Sequence, residues 1–257
     1  MALDLADYDA QARKAIAGFW GGRNQAKLKQ IEAGRLDAGE RGAVTGGKNM
    51  DGFCVLMSDI VRLNGLADAT IRFQGRVMTL PGYFRPTKDW DMIVTRGPRL
   101  IAALEFKSQV GSFGNNFNNR CEESIGTAVD LQTAMREGAF GENEPPFVGW
   151  MMLLEDAPGS RLPKRERTLG FPIFPEFQRA SYAERYSILC KKLVQERLYD
   201  AACIIVSPKG SEAGDYEEIS ELTGLRKFVS SFAGHIAAEA TRPPPAEPTG
   251  GLFAAFK

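Results

Sequence analysis

Two apolar runs of strand length flank a strong turn motif near the middle of the sequence, and this pattern constrains the fold more than any other feature. The runs extend from Trp90 to Thr95 and from Leu100 to Phe106. Between them lies Arg96-Gly-Pro-Arg99, whose Gly-Pro pair is typical of a turn. The sequence therefore predicts an antiparallel β-hairpin.

This hairpin carries charged residues at positions that strand periodicity gathers together. Side chains alternate along a strand, so Glu105 and Lys107 share one face while Leu104 and Phe106 lie on the other. Asp91, on the first strand, has apolar neighbours on both sides, so its side chain is expected to point away from the apolar face. The hairpin can then bring Asp91 beside Glu105.

Two adjacent carboxylates and an ammonium group suit phosphoryl chemistry. The carboxylates repel unless a divalent cation lies between them, and a hard site of oxygen ligands suits Mg²⁺. Such a cation lowers the pKa of a bound water, and Lys107 would orient that water or stabilise the phosphorane. Asp89 is the alternative to Asp91 as the first carboxylate of this site. The competing structural interpretation is a salt bridge of Lys107 with Asp91 or Glu105 on an edge strand.

The rest of the chain alternates between helical and strand periodicity. The expected elements are a helix from Leu3 to Ala33 interrupted near Gly21-Gly22, a helix from Asn49 to Arg62, a hairpin of Thr70 to Phe73 with Arg76 to Leu80 turning at Gln74-Gly75, a loop from Gly111 to Asn119, a helix from Cys121 to Glu137, strands at Phe147 to Leu154 and Ala202 to Val206, and helices around Tyr186 to Val194 and Leu222 to Ile236. Strands interleaved with helices imply an α/β fold with a central mixed sheet flanked by helices.

Composition narrows the class of protein. The 257 residues include 32 basic and 32 acidic side chains, which argues mildly against a nonspecific nucleic-acid binder. Four widely spaced cysteines and one histidine suggest buried thiols rather than a zinc site or a disulfide framework. We expect no membrane segment and a cytoplasmic location. Residues 1–241 are expected to form one domain, and residues 242–257 a Pro-rich tail that is disordered or loosely docked.

Polar and basic side chains near the hairpin are candidates for contacts with DNA. Asn and Arg can read adenine and guanine edges, and Arg and Lys can hold phosphates. Turn formation, helix capping and simple solvation are the competing interpretations for these residues. The candidates are Arg85, Lys88, Asn115, Asn116, Asn118, Asn119 and Arg120.

Longer segments around these residues resemble one known family. Leu80-Pro-Gly-Tyr-Phe-Arg-Pro-Thr-Lys-Asp-Trp-Asp-Met-Ile-Val94, Glu105-Phe-Lys-Ser-Gln-Val-Gly111 and Phe113-Gly-Asn-Asn-Phe-Asn-Asn-Arg120 are similar to the XhoI family of type II restriction endonucleases. The similarity extends through nearly all of the chain before the tail. One departure is Trp90, which replaces the proline that precedes the first Asp of the nuclease motif.

The resemblance implies a homodimeric, Mg²⁺-dependent nuclease of the restriction-endonuclease-like PD-(D/E)xK fold, with Asp91, Glu105 and Lys107 as its catalytic motif. It also implies cleavage of double-stranded DNA at the palindrome CTCGAG, with 5′ overhangs and 5′-phosphates. A companion DNA methyltransferase would act on the same site without stable association. The alternatives are a sequence-specific DNA-binding protein that does not cleave and a junction-resolving nuclease of the same fold.

Overall fold

The structure, a computed structural model, describes residues 2–32, 50–73, 78–141 and 144–243. The helices are α1 (Tyr8–Glu32), α2 (Asp51–Leu63), α3 (Phe113–Arg136), α4 (Pro158–Arg161), α5 (Tyr182–Gln195) and α6 (Leu225–Ala240). The strands are β1 (Thr70–Arg72), β2 (Thr79–Pro81), β3 (Thr87–Asp89), β4 (Met92–Arg96), β5 (Arg99–Gln109), β6 (Phe147–Asp156), β7 (Ala201–Pro208) and β8 (Glu217–Glu218).

A six-stranded mixed sheet forms the centre of the described chain. Its strand order is β1-β4-β5-β6-β7-β8. The pairs β5–β6 and β6–β7 are parallel, whereas β1–β4, β4–β5 and β7–β8 are antiparallel. Strands β6 and β7 are buried along almost their whole length, as expected for parallel strands covered on both faces. The predicted α/β class with a central mixed sheet is confirmed.

Alternation along the strands builds a separate apolar core on each face of this sheet. One core contains Leu104 and Phe106 of β5 and packs against α1, α2 and α6. The other contains Trp150 and Met152 of β6 and packs against α3 and α5. Because β5 is central and covered on both sides, any charged residue along it is removed from water.

The central hairpin forms as predicted. Strands β4 and β5 pair antiparallel, with Met92 opposite Leu104, and Gly97 makes the turn with a positive φ of 56°. The helix predicted from Asn49 to Arg62 is also present as α2, and Asn64 caps its C-terminus.

The predicted break in the first helix is wrong. Helix α1 runs through Gly21-Gly22 to Glu32, and it begins at Tyr8 because Ala6 and Asp7 adopt positive φ angles. Trp20, in the turn before the glycines, is buried and its indole Nε1 donates a hydrogen bond to Ser207 Oγ at 2.9 Å. Tertiary packing of this kind overrides the low helix propensity of glycine.

The hairpin predicted from Thr70 to Leu80 is also wrong. Strand β1 pairs with β4 at the edge of the central sheet, whereas β2 pairs with β3 in a separate two-stranded sheet. The expected turn at Gln74-Gly75 lies outside the described residues. Pairing of β1 with β4 is favoured because it extends a sheet that already has an apolar core, whereas an isolated two-stranded hairpin is only marginally stable.

The loop predicted from Gly111 to Asn119 is largely helical. Gly111 and Ser112 turn the chain with positive φ angles, and α3 then begins at Phe113. Phe113 stacks on Tyr182 of α5, with ring centroids 6.4 Å apart. The aromatic contact anchors a segment whose Asn and Gly content favours a loop, so the four candidate asparagines lie on a helix.

Three cysteines, Cys54, Cys190 and Cys203, are buried free thiols as predicted, whereas Cys121 is partly exposed. Of the helices that the structure describes, none is long and apolar enough to cross a membrane. The predicted tail lies, from residue 244 onward, outside the described residues.

Candidate active site

Glu105 is a charged residue in the middle of the most central hairpin strand. Its side chain is 2% exposed. Its Oε1 atom lies 2.6 Å from Lys107 Nζ and 3.2 Å from Lys88 Nζ. Lys107 comes from the same face of β5, whereas Lys88 comes from β3 of the small sheet. Two ammonium groups therefore converge on one buried carboxylate oxygen.

These contacts keep Glu105 ionised. Burial alone raises the pKa of this carboxyl, but the ammonium groups of Lys107 and Lys88 outweigh it, so the pKa is lowered from its ordinary value. The second oxygen is in a different situation, because Glu105 Oε2 is buried and has no hydrogen-bond partner among the described residues. A buried oxygen of a charged group without a partner is costly, which points to a missing ligand.

Asp91 lies at the junction between the two sheets, after β3 and directly before β4. Its Oδ2 accepts a hydrogen bond of 2.8 Å from the main-chain amide of Phe106, the residue between Glu105 and Lys107. Burial raises the pKa of Asp91, the Phe106 amide and Lys107 oppose that rise, and the charge of Glu105 adds to it. The charge of Glu105 therefore acts on the pKa of Asp91.

The donor set fits a hard divalent cation. Within the described ranges, no cluster of three or more His, Cys, Asp and Glu side chains is arranged as a metal site, so the fit rests on Asp91 and Glu105. Magnesium is commonly held by one or two carboxylates, with waters and substrate phosphates completing its coordination. The unpartnered Glu105 Oε2 is available for this role.

A cleft of about 640 Å³ opens over Lys88, Glu105 and Lys107, whereas Asp91 is not among the residues that line it. Four cationic and four acidic side chains line it, so the cations can contact phosphates although the lining as a whole carries no net charge. Its lining consists of Phe84, Arg85, Lys88, Glu105, Lys107, Arg120, Glu122, Glu123, Gly126, Thr127, Val129 and Asp130.

Comparison with known proteins identifies the family of this chain. A family model described as restriction endonuclease XhoI matches residues 29–218. The chain belongs to the XhoI restriction endonuclease family. No solved structure matches it.

Named relatives in the XhoI family cover most of the chain. Type II restriction enzyme XhoI of Xanthomonas vasicola is 55% identical over 196 residues, which are 76% of this chain and 78% of the relative. AbrI of Azospirillum brasilense is 62% identical over 161 residues, 62% of this chain and 72% of the relative. BstVI of Geobacillus stearothermophilus is 45% identical over 216 residues, 81% of this chain and 96% of the relative. The protein is a type II restriction endonuclease, as the sequence predicted.

The three basic candidates for DNA contact all line the cleft of this XhoI-family enzyme, but none is an unengaged surface charge. Lys88 contacts Glu105, Arg85 Nε donates to Asp130 Oδ2 at 2.7 Å, and Arg120 pairs with Glu123 one helical turn later. Arg120 Nε is buried and lacks a partner within the described part of the chain.

The four asparagine candidates occupy the first two turns of α3. Asn115, Asn118 and Asn119 are exposed and Asn116 is half-buried. None of the four lines the cleft itself. In the XhoI-family enzyme they therefore lie beside the catalytic candidates rather than among them, on a rigid helix instead of a loop.

Sequence reasoning missed Asp130 and Phe84. Asp130 is buried on α3 between the core residues Ala128 and Leu131, and a carboxylate on an apolar helix face was the available indication. Phe84 lines the cleft and is 69% exposed. In a sequence, its neighbours Tyr83 and Pro86 suggest only a turn.

Proposed function

We propose that this enzyme hydrolyses both strands of double-stranded DNA at CTCGAG, with Mg²⁺ as cofactor, and leaves 5′ overhangs and 5′-phosphates. The observation that carries the proposal is the buried Glu105, whose Oε1 is held by two lysines while Oε2 lacks a partner. The identity to enzymes named XhoI and BstVI over most of the chain supports the choice of site.

In this proposal Asp91 and Glu105 hold the cation. The Phe106 amide orients Asp91 through Oδ2, and the two lysines keep Glu105 ionised, so both side chains are set before substrate arrives. Mg²⁺, when bound, neutralises charge on the scissile phosphate and lowers the pKa of a coordinated water.

Lys107 is the proposed cationic catalyst. Its Nζ lies on the cleft side of β5, where it can donate to the attacking water or to a phosphate oxygen as negative charge develops. Its side chain is 21% exposed, so the ammonium group is accessible from the cleft while its charge is only partly screened by water.

We propose that the enzyme acts as a homodimer in the cytoplasm. A palindrome presents the same reading surface twice, and a two-fold dimer supplies two matching surfaces and two cutting sites. Host DNA would be protected by a cognate methyltransferase that modifies the same site without stable association with the nuclease.

A plasmid digest tests the proposal directly. Purified enzyme with Mg²⁺ and a plasmid bearing one CTCGAG site should give one linear product, and sequencing of its ends should locate the cuts. Addition of EDTA should stop the reaction. Intact plasmid with specific binding would favour a protein that does not cleave, whereas preference for four-way junctions would favour a junction-resolving nuclease.

Glu105→Ala tests the site assignment. The variant should lose cleavage while it retains specific binding, because binding draws on contacts spread over the interface and the metal site needs each of its ligands. Glu137→Ala, at an exposed glutamate that ends α3, is the matched control and should cleave normally. Unchanged cleavage by Glu105→Ala would overturn the assignment.

A further inference from the structure

The segment between β2 and β3 exposes two large aromatic side chains next to each other. Tyr83 is 53% exposed and Phe84 is 69% exposed. Their rings meet edge to face, with centroids 5.0 Å apart and an angle of 85° between the planes. Adjacent exposed aromatic rings leave apolar surface in water, which is unfavourable unless another surface covers them.

The backbone beneath these rings is held by one buried carboxylate. Asp130 Oδ1 accepts hydrogen bonds from the amides of Tyr83 and Phe84, each at 2.8 Å. Asp130 Oδ2 accepts the Arg85 guanidinium at 2.7 Å. Three charge-assisted hydrogen bonds therefore tie this segment to helix α3.

The turn also requires a close approach that only glycine permits. A Cβ atom at Gly82 would lie 2.6 Å from the carbonyl oxygen of Arg85 and 2.7 Å from Asp130 Oδ2. The segment is thus ordered before any ligand binds. Rings presented on an ordered backbone can contact a ligand without the entropy cost of fixing a loop.

The position of the rings identifies what would cover them. Phe84 and Arg85 line the same cleft as Glu105, Lys107 and Arg120, so whatever lies over the catalytic candidates also meets Phe84. For this enzyme class the occupant is duplex DNA, and the four cationic side chains of the lining can contact its phosphates.

We propose that Tyr83 and Phe84 form an aromatic tip in which Phe84 packs against the duplex bound in the cleft, while Tyr83, which does not line the cleft, supports the Phe84 ring edge to face. The inference rests on the proposed function, since it takes the DNA of that reaction as the ligand. In a duplex the base faces are already stacked on one another, so the ring gains its contact area against deoxyriboses and the groove edges of bases. Asp130 is the positioning residue of the tip.

The test measures DNA binding in a background that cannot cut. Tyr83→Ala and Phe84→Ala are combined with Glu105→Ala, and the affinity for a fluorescent duplex carrying the site that the wild-type enzyme cleaves is measured by anisotropy. Loss of one buried aromatic contact should weaken binding by roughly 10- to 100-fold. Phe171→Ala, at an exposed ring outside the cleft lining, is the matched control and should bind as the parent does.

Further variants distinguish loss of the aromatic contact with DNA from loss of folding. Phe84→Trp keeps a flat ring and should retain most of the affinity, whereas Phe84→Leu should lose most of it. Asp130→Ala should weaken binding through the tip, and combining it with Phe84→Ala should add little because both act on one contact. Thermal melting of the Phe84 variants should match that of the parent, since the ring is exposed.

Several outcomes would overturn the tip. One is unchanged affinity in both alanine variants. If the same variants also shift from dimer to monomer in the absence of DNA, a second copy of the chain covers the rings instead. A duplex without the site is measured in parallel, so the contribution of the rings is determined even where the wild-type enzyme cuts elsewhere. Absence of any cleavage by the wild-type enzyme would instead count against the proposed function.

Discussion

At the scale of single residues, the site depends on how the charge of Glu105 is balanced. The lowered pKa of Glu105 means that its ionised form stabilises the fold above its ordinary pKa, and this contribution is lost as the pH falls through the lowered value. Two lysines share this task, at 2.6 and 3.2 Å from the same oxygen. Removal of either lysine should leave a buried carboxylate incompletely paired.

We therefore predict that Lys88→Met lowers the free energy of unfolding at pH 7 by about 1–2 kcal/mol, because one of two partners of a buried charge is lost. Lys107→Met should cost more, since its ammonium group is closer to Glu105. Denaturant titration measures both, with the exposed Lys227→Met as control. Equal stability of Lys88→Met and the parent would contradict the shared role.

Asp91 should be needed for cleavage, but its negative charge should destabilise the folded protein. Its pKa is raised by burial, so its ionisation costs more in the folded chain than in the unfolded chain. The folded state is favoured while Asp91 is protonated, and stability falls as the pH rises from the ordinary value of 3.8 through the raised one.

Asp91→Asn keeps the shape and an oxygen for the Phe106 amide but carries no charge. In metal-free buffer at pH 8 we expect a higher Tm, by about 2–4 °C for each 1 kcal/mol gained. In a separate assay with Mg²⁺, cleavage should be lost, because the site lacks one of its two charged ligands. The gain in Tm should shrink as the pH approaches 4. A lower Tm at pH 8 would show that the charge of Asp91 stabilises the fold.

At the scale of elements, helix α3 carries seven of the twelve residues that line the cleft. Arg120 lines the cleft, and its Nη1 pairs with Glu123 one turn later. Arg120→Ala should weaken binding to specific and nonspecific duplexes alike and reduce the slope of log affinity against log salt by about one. Arg136→Ala, at the exposed far end of the same helix, should leave that slope unchanged.

Strand β6 has no side chain at Gly149, and this lets β5 and α6 pack close to it. A Cβ at Gly149 would lie 2.6 Å from Leu104 Cδ2 and 2.9 Å from Phe228 Cζ, between β5 and α6. Gly149→Ala should therefore lower the free energy of unfolding by about 1–3 kcal/mol. Gly18→Ala in α1, where nothing lies within 4 Å, should instead raise it by about 0.5–1 kcal/mol. Chemical denaturation should give these opposite signs.

At the scale of the whole molecule, the proposed dimer makes a prediction that a monomer does not. A mixed dimer of one wild-type and one Glu105→Ala protomer retains one complete catalytic site and two DNA-binding surfaces. It should nick a plasmid with one site and accumulate open circles, whereas the wild-type dimer should give linear DNA. Differently tagged protomers, copurified and assayed on supercoiled plasmid, provide the measurement. Linear product from the mixed dimer would contradict one cut per protomer.

Part of this fold could be predicted from local sequence patterns. The β4–β5 hairpin, α2 and the buried strands β6 and β7 were predictable because alternation and helical periodicity are properties of a few neighbouring residues. Helix α1 and the start of α3 were not, since the packing of Trp20 and Phe113 against distant elements overrides the glycines and asparagines nearby. The pairing of β2 with β3 likewise depends on competition between strands.

The sequence by itself determined the class of fold, the hairpin, and the placement of Glu105 and Lys107 on one face of one strand, because each follows from the period of a strand. Only the tertiary structure decided that Lys88 joins Glu105 from 17 residues away and that Asp130 holds Tyr83 from 47 residues away. The physical reason is that such contacts form only when separate elements pack together, and packing depends on surfaces contributed by the whole chain.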